Sequence, residues 1–227
     1  MELFSLNWIS VICGLVAVLS VVILRLHWPF RYQYLSSLSK RPEGIMKLLE
    51  ASYRRNNSRM VAMLDKSTHE ILSGNYDTAE QFIAKGLSEC KQTPSLFHQA
   101  LAQYLFLNLS AVYFYRGNYE EALDIAIQVY ERDQSSPNAL SLIICSQARM
   151  GNLQDAIEAL SFLGKQARHE HHLFCQAEIE AAKGNYASAL HFLNQLSRRR
   201  YFYTIHLGRK EMEKRLDEWS KAKSHVG

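Results

Sequence analysis

Residues 108–133 read NLSAVYFYRGNYEEALDIAIQVYERD, and this stretch decides the fold. On its upstream side Tyr104, Leu105, Leu107, Leu109, Ala111, Val112 and Tyr113 recur at helical spacing and stop at Gly117. Downstream, Tyr119, Ala122, Leu123, Ile125, Ala126 and Val129 restart the same period and run to about Asp133. Glycine closes a helix because it takes a left-handed conformation without a Cβ penalty. Asparagine is a favoured turn residue that also suits the first position of a new helix. The stretch therefore predicts two antiparallel helices joined by a tight turn.

Outward from it, the same pattern occurs four times: Gly74-Asn75-Tyr76, Gly117-Asn118-Tyr119, Gly151-Asn152-Leu153 and Gly184-Asn185-Tyr186. Five residues after each glycine stands an alanine (Ala79, Ala122, Ala156, Ala189). Nine residues after each glycine stands Ile83, Ala126, Leu160 or Leu193. The small residue marks where two helices cross closely. The glycines are 43, 34 and 33 residues apart. The first interval is long, so the segment Lys91–Leu101 must hold an insertion or extended helices. One hairpin cannot bury its apolar face alone, so neighbours must stack.

A period near 34 with helices on both sides of the turn resembles the tetratricopeptide (TPR) family. The resemblance covers roughly Met60–His206 and is closest in residues 108–133, which carry the family's Asn-Leu-small, Tyr, Gly-x-Tyr and Ala positions. Departures fall in the end units: Lys66 and Glu70 in the first, Gln176 and Glu180 in the fourth, stand where leucine and tyrosine are usual. The resemblance implies an all-α α-solenoid of about four TPR hairpins over residues 60–206. It further implies a groove lined by the first helix of each unit. By position that groove would take Tyr104, Leu107, Ala111, Phe114 and Tyr115, then Asn138, Ser141, Cys145 and Arg149, then His171, Phe174 and Glu178. Such a lining suits a protein or peptide ligand with an apolar anchor. The family's clamp for acidic chaperone tails needs basic partners beside Asn108, and the second unit has none.

The other deciding segment is the N-terminus. Leu3 to Leu24 holds no charged residue, and Trp8 and Trp28 bracket it. About 22 helical residues span about 33 Å, against a hydrocarbon core of about 30 Å. Met1-Glu2 is not a basic start and no Ala-x-Ala follows the run, so the reading is an uncleaved anchor, residues 1–27, rather than a signal peptide. Arg25, Arg31, Lys40, Arg41, Lys47, Arg54, Arg55 and Arg59 all follow it. The positive-inside rule then places the N-terminus outside and the repeats in the cytoplasm as a single-pass protein. Those basic residues would also attract anionic lipid. Residues 28–59 form a linker that lies along the membrane surface and then a lead-in helix from Pro42 through Ile45, Leu48, Leu49 and Tyr53.

Residues 207–227 close the chain. Gly208 separates them from the fourth unit, and Met212, Leu216 and Trp219 make an apolar stripe among charges. This predicts a helix capping the last repeat; the alternative is an amphipathic segment docking elsewhere.

The net charge of +4 is modest and partly juxtamembrane, which does not argue for nucleic acid. Of four cysteines, Cys13 lies in the anchor and Cys90, Cys145 and Cys175 read as small core residues of a reducing compartment. His171 and Cys175, four apart on one helix face, are a weak metal candidate that falls short of the four ligands zinc needs, so no metal and no cofactor is expected. Arg198–Tyr203 reads RRRYFY and could contact RNA, but it also suits a basic helix C-terminus. A Gly-x-Ser-x-Gly, a P-loop and a dinucleotide fingerprint are all missing. The reading is a non-enzymatic, membrane-anchored scaffold for protein–protein interaction. An exported or periplasmic assembly factor is one alternative; a metal- or nucleic-acid-binding repeat protein is a second.

Overall fold

The fold was obtained as a computed structural model that describes residues 8–39, 41–92, 95–164, 167–198 and 206–226. It is all-helical, with no strand among the described residues. The helices are α1 (Trp8–His27), α2 (Arg31–Leu38), α3 (Pro42–Arg55), α4 (Arg59–Ser73), α5 (Tyr76–Gln92) and α6 (Leu96–Arg116). They continue as α7 (Tyr119–Arg132), α8 (Pro137–Arg149), α9 (Leu153–Phe162), α10 (His169–Ala182), α11 (Tyr186–Ser197) and α12 (Arg209–Val226). A short 3-10 turn, Trp28–Phe30, links α1 to α2.

Four hairpins, α4–α5, α6–α7, α8–α9 and α10–α11, follow one another, and each is closed by the same chemistry. Gly74, Gly117, Gly151 and Gly184 sit at φ 76°, 92°, 85° and 79°. The asparagine after each donates its backbone N–H to the carbonyl five residues back (Glu70, Tyr113, Gln147, Glu180), each at 2.9 Å. The glycine N–H reaches three residues back. This paired closure satisfies carbonyls that the helix end leaves open. The asparagine carbonyl then accepts the first bond of the next helix, from Ala79, Ala122, Ala156 or Ala189.

The asparagine side chains do not cap the new helix. Asn75 and Asn185 donate backward to Glu70 and Glu180 at 2.8 and 3.0 Å, and Asn152 donates to Gln147 at 2.7 Å. The polar residues that depart from the family pattern at Glu70 and Glu180 thus lock the turn they precede.

From α2 onward each helix packs on its sequence neighbour, and the first helices α4, α6, α8 and α10 also pack on one another as a layer. The four repeat alanines are fully buried. One continuous core runs from Met60 to Trp219. The long first interval comes from long helices: α5 has 17 residues and α6 has 21, against 14 and 13 in α7 and α8. Ser95 starts α6 by accepting from the His98 N–H.

Upstream, Pro42 opens α3 as expected, and Ile45 and Leu49 pack with Leu72. The linker before it, expected to lie along the membrane surface, is helical. Residues 28–38 form the 3-10 turn and α2, and they are tied to α3 and α4. Gln33 donates to Asp65 at 2.6 Å, Asn56 donates to the Pro29 carbonyl at 2.6 Å, and Phe30 meets Phe97 edge-on. The reason is polar satisfaction: Asp65 is buried and needs donors, which Gln33 and Ser52 supply.

Among the described residues no single helix is long and apolar enough to cross a membrane on its own. Ser10–Leu24 and Trp28–Ser36 pass together, with a 42° bend between them. Residues 3–7 of the sequence's uncharged run lie outside the described residues.

Candidate functional site

The groove residues expected from the sequence gather on the first-helix layer, but most of them are covered. Leu107, Ala111, Phe114, Tyr115, Phe174 and Glu178 are all buried. Asn138 and Arg149 are partly exposed. Tyr104 alone of the set is open to solvent, 56% exposed.

The cover is α12. It packs on α11, as a cap on the last hairpin would, and it also reaches α4 at the opposite end of the array. Its entry is tight: a Cβ added to Gly208 would lie 2.1 Å from the Leu72 carbonyl oxygen, so only glycine lets the chain pass. Leu207 just before it is buried, as are Glu211, Met212, Arg215 and Trp219 within it. The sequence stripe of Met212, Leu216 and Trp219 therefore missed its two central charges, Glu211 and Arg215. Both sit at helical spacing within that stripe, which was the available signal.

At the centre lies a charge network. Glu178, with no exposure, accepts from Arg149 Nε at 2.5 Å and from Arg215 Nε at 2.6 Å. Arg215 also pairs with Glu211, one turn back on its own helix. Tyr76 donates its hydroxyl to Glu211 at 3.3 Å. Around the Arg215 guanidinium stand the rings of Tyr115, Phe114 and Phe174, with centroids 5.4, 5.7 and 5.7 Å away. Arg149 in turn lies 5.7 Å from the Trp219 ring. Three helices, α8, α10 and α12, thus meet at one buried carboxylate. Burial alone would raise the Glu178 pKa, but the two guanidiniums outweigh it and hold the carboxyl below its usual range. Burial likewise opposes the charge on Arg215, and Glu178 and Glu211 hold it protonated.

His171 and Cys175 are not brought together with further ligands. Among the described residues no three His, Cys, Asp or Glu form a metal-holding group. His171 Nε2 pairs with Asn138 Oδ1 at 2.7 Å. Cys175 Sγ lies 3.9 Å from Cys145 Sγ, and burial pushes the Cys145 thiol well up, away from nucleophilic character. Ser141 returns its hydroxyl to the Pro137 carbonyl. Asn108 is structural here: its Nδ2 donates to Ser67 and Thr68 at 2.8 and 3.0 Å, tying α6 to α4. Within Arg198–Tyr203, residues 199–203 lie outside the described residues.

A separate cavity of about 800 Å³ opens where α1 meets the array, lined by Leu24, His27, Trp28, Phe30, Arg31, Gln33, Tyr34 and Tyr104.

No protein-family model, no curated protein and no solved structure matches the chain.

Proposed function

We propose that this chain is a membrane-anchored scaffold of the TPR kind, an α-solenoid whose first-helix face holds a protein or peptide partner at the cytoplasmic side of a membrane, without catalysing a reaction. The observation that carries the anchor is the state of α1. Its side chains, among them Leu15, Val18, Val21 and Leu24, stand exposed along its length. No single described helix is long and apolar enough to cross a bilayer alone, so the proposed span is the bent pair Ser10–Leu24 and Trp28–Ser36. An unpartnered apolar surface such as that of α1 needs lipid or another protein against it. The basic residues follow it rather than precede it, which favours an outside N-terminus and a cytoplasmic array. Arg31, Arg54 and Arg55 near its end favour anionic headgroups.

The scaffold reading is supported by the repeated hairpin closure and by the use made of the strongest buried charges. Glu178, Arg149 and Arg215 hold helices to one another, so the centre of the face is built for gripping a helix. Chemical crosslinking of the full chain in its own membranes tests the reading. It expects one recurring protein adduct; the absence of any recurring adduct overturns it.

A further inference from the structure

Helix α12 is a weakly apolar occupant of a strongly featured site. Charged residues dominate it, and its buried side contributes two large apolar anchors, Met212 and Trp219, on either side of Arg215. The layer beneath meets that helix with specific chemistry. It offers a carboxylate with no exposure and three aromatic faces turned on one guanidinium. Carboxylate plus ring faces is the arrangement that selects a planar, delocalised cation. With α12 lifted, Glu178 would keep Arg149 as a partner and lose Arg215. α12 is held by that ion pair together with the buried Met212 and Trp219, and the desolvation of a buried pair offsets much of the pair's attraction. A helix held so is exchangeable for another that makes the same contacts.

Resting on the scaffold reading, we propose that α12 is a stand-in ligand. The first-helix layer is a receptor for an amphipathic helix of a partner protein that presents an arginine between two apolar anchors, spaced as Met212, Arg215 and Trp219 are. The partner binds by displacing α12.

The test uses the full chain in lipid nanodiscs and two labelled synthetic peptides, residues 206–226 and the same peptide with Arg215→Ala. Tethered α12 competes at an effective concentration on the order of millimolar, so the wild-type chain takes up the peptide weakly. Two variants unseat α12 by different means: Arg215→Ala removes its central contact, and Gly208→Ala clashes with the Leu72 carbonyl at its entry. Both should bind the unsubstituted peptide at least about tenfold more tightly, and the Arg215→Ala peptide should lose that gain. A folded Gly208→Ala chain with unchanged peptide affinity overturns the proposal.

Should both variants fail to fold, hydrogen exchange on the wild-type chain decides. Amides of α12 exchanging as a group ahead of α6, α8 and α10 support it; α12 exchanging only on global unfolding overturns it. A dimer with α12 traded between chains would assign the site to a second copy and also overturn it. Peptide uptake without any adduct in membranes sinks the scaffold reading alone. An adduct whose yield is equal in wild type and Gly208→Ala sinks the displacement alone.

Discussion

Glu178 is the residue on which most of the interior polar chemistry converges. Removing its charge leaves Arg215, 3% exposed, without its main partner. Glu178→Ala is therefore expected to lower unfolding stability by about 3–5 kcal/mol, read by urea titration of the full chain in detergent. Tyr104→Ala, on the open side of α6, should change it by less than about 0.5 kcal/mol. Phe114 was legible in the sequence as a first-helix residue, but its burial was not. That burial depends on a segment about a hundred residues away folding back over it, and no local pattern encodes such a contact.

Three titratable groups give opposite pH responses. Burial pushes the Asp65 carboxyl up to about 6, with hydrogen bonds from Ser52 and Gln33 holding it partly down. Between about 4 and 6 the native chain holds a proton there that the unfolded chain has lost, so this group adds stability as pH falls. His171 and His206 run the other way. Burial lowers each to about 4. The unfolded chain takes up those protons below about 6.5, so stability is lost as pH falls through the window from 6.5 to 4. Two histidines act against one aspartate, so urea midpoints should fall from pH 7 to pH 5. Asp65→Asn should make that fall steeper, because it removes the opposing contribution; an unchanged slope would contradict the assignment.

At the scale of elements, the hairpin closures carry the fold. Gly117→Ala places a Cβ at φ 92° with nothing within 4 Å to clash, so its cost is conformational alone, about 1–2 kcal/mol. Gly208→Ala is steric instead, against backbone, and should expose α12 to proteolysis while leaving the four hairpins helical by circular dichroism. The hairpins were readable because each is built from local chemistry: Gly, Asn and a small residue five positions on. The linker was not. Its α2 and the turn before it are tied down by Asp65 and Asn56, which lie beyond them in the chain, so the local sequence did not show this helix. The polar residues Glu70 and Glu180 looked like defects in the repeat, yet they accept from the turn asparagines and strengthen it.

In the whole molecule an exposed apolar helix, α1, precedes a stacked array in which α8, α10 and α12 meet at one buried carboxylate. The uncharged N-terminal run and the basic residues after it were plain in the sequence because both are local composition. The internal occupant of the face was hidden in a C-terminal helix whose stripe carries charges. The central claim is that the array is tethered and faces the cytoplasm. Protease treatment of sealed, cytoplasm-side-out vesicles carrying the full chain tests it most directly. The account predicts that the array is cut without opening the vesicles and that α1 stays in the membrane after an alkaline wash. A chain that washes off, or that is cut only after the vesicles are opened, would contradict it.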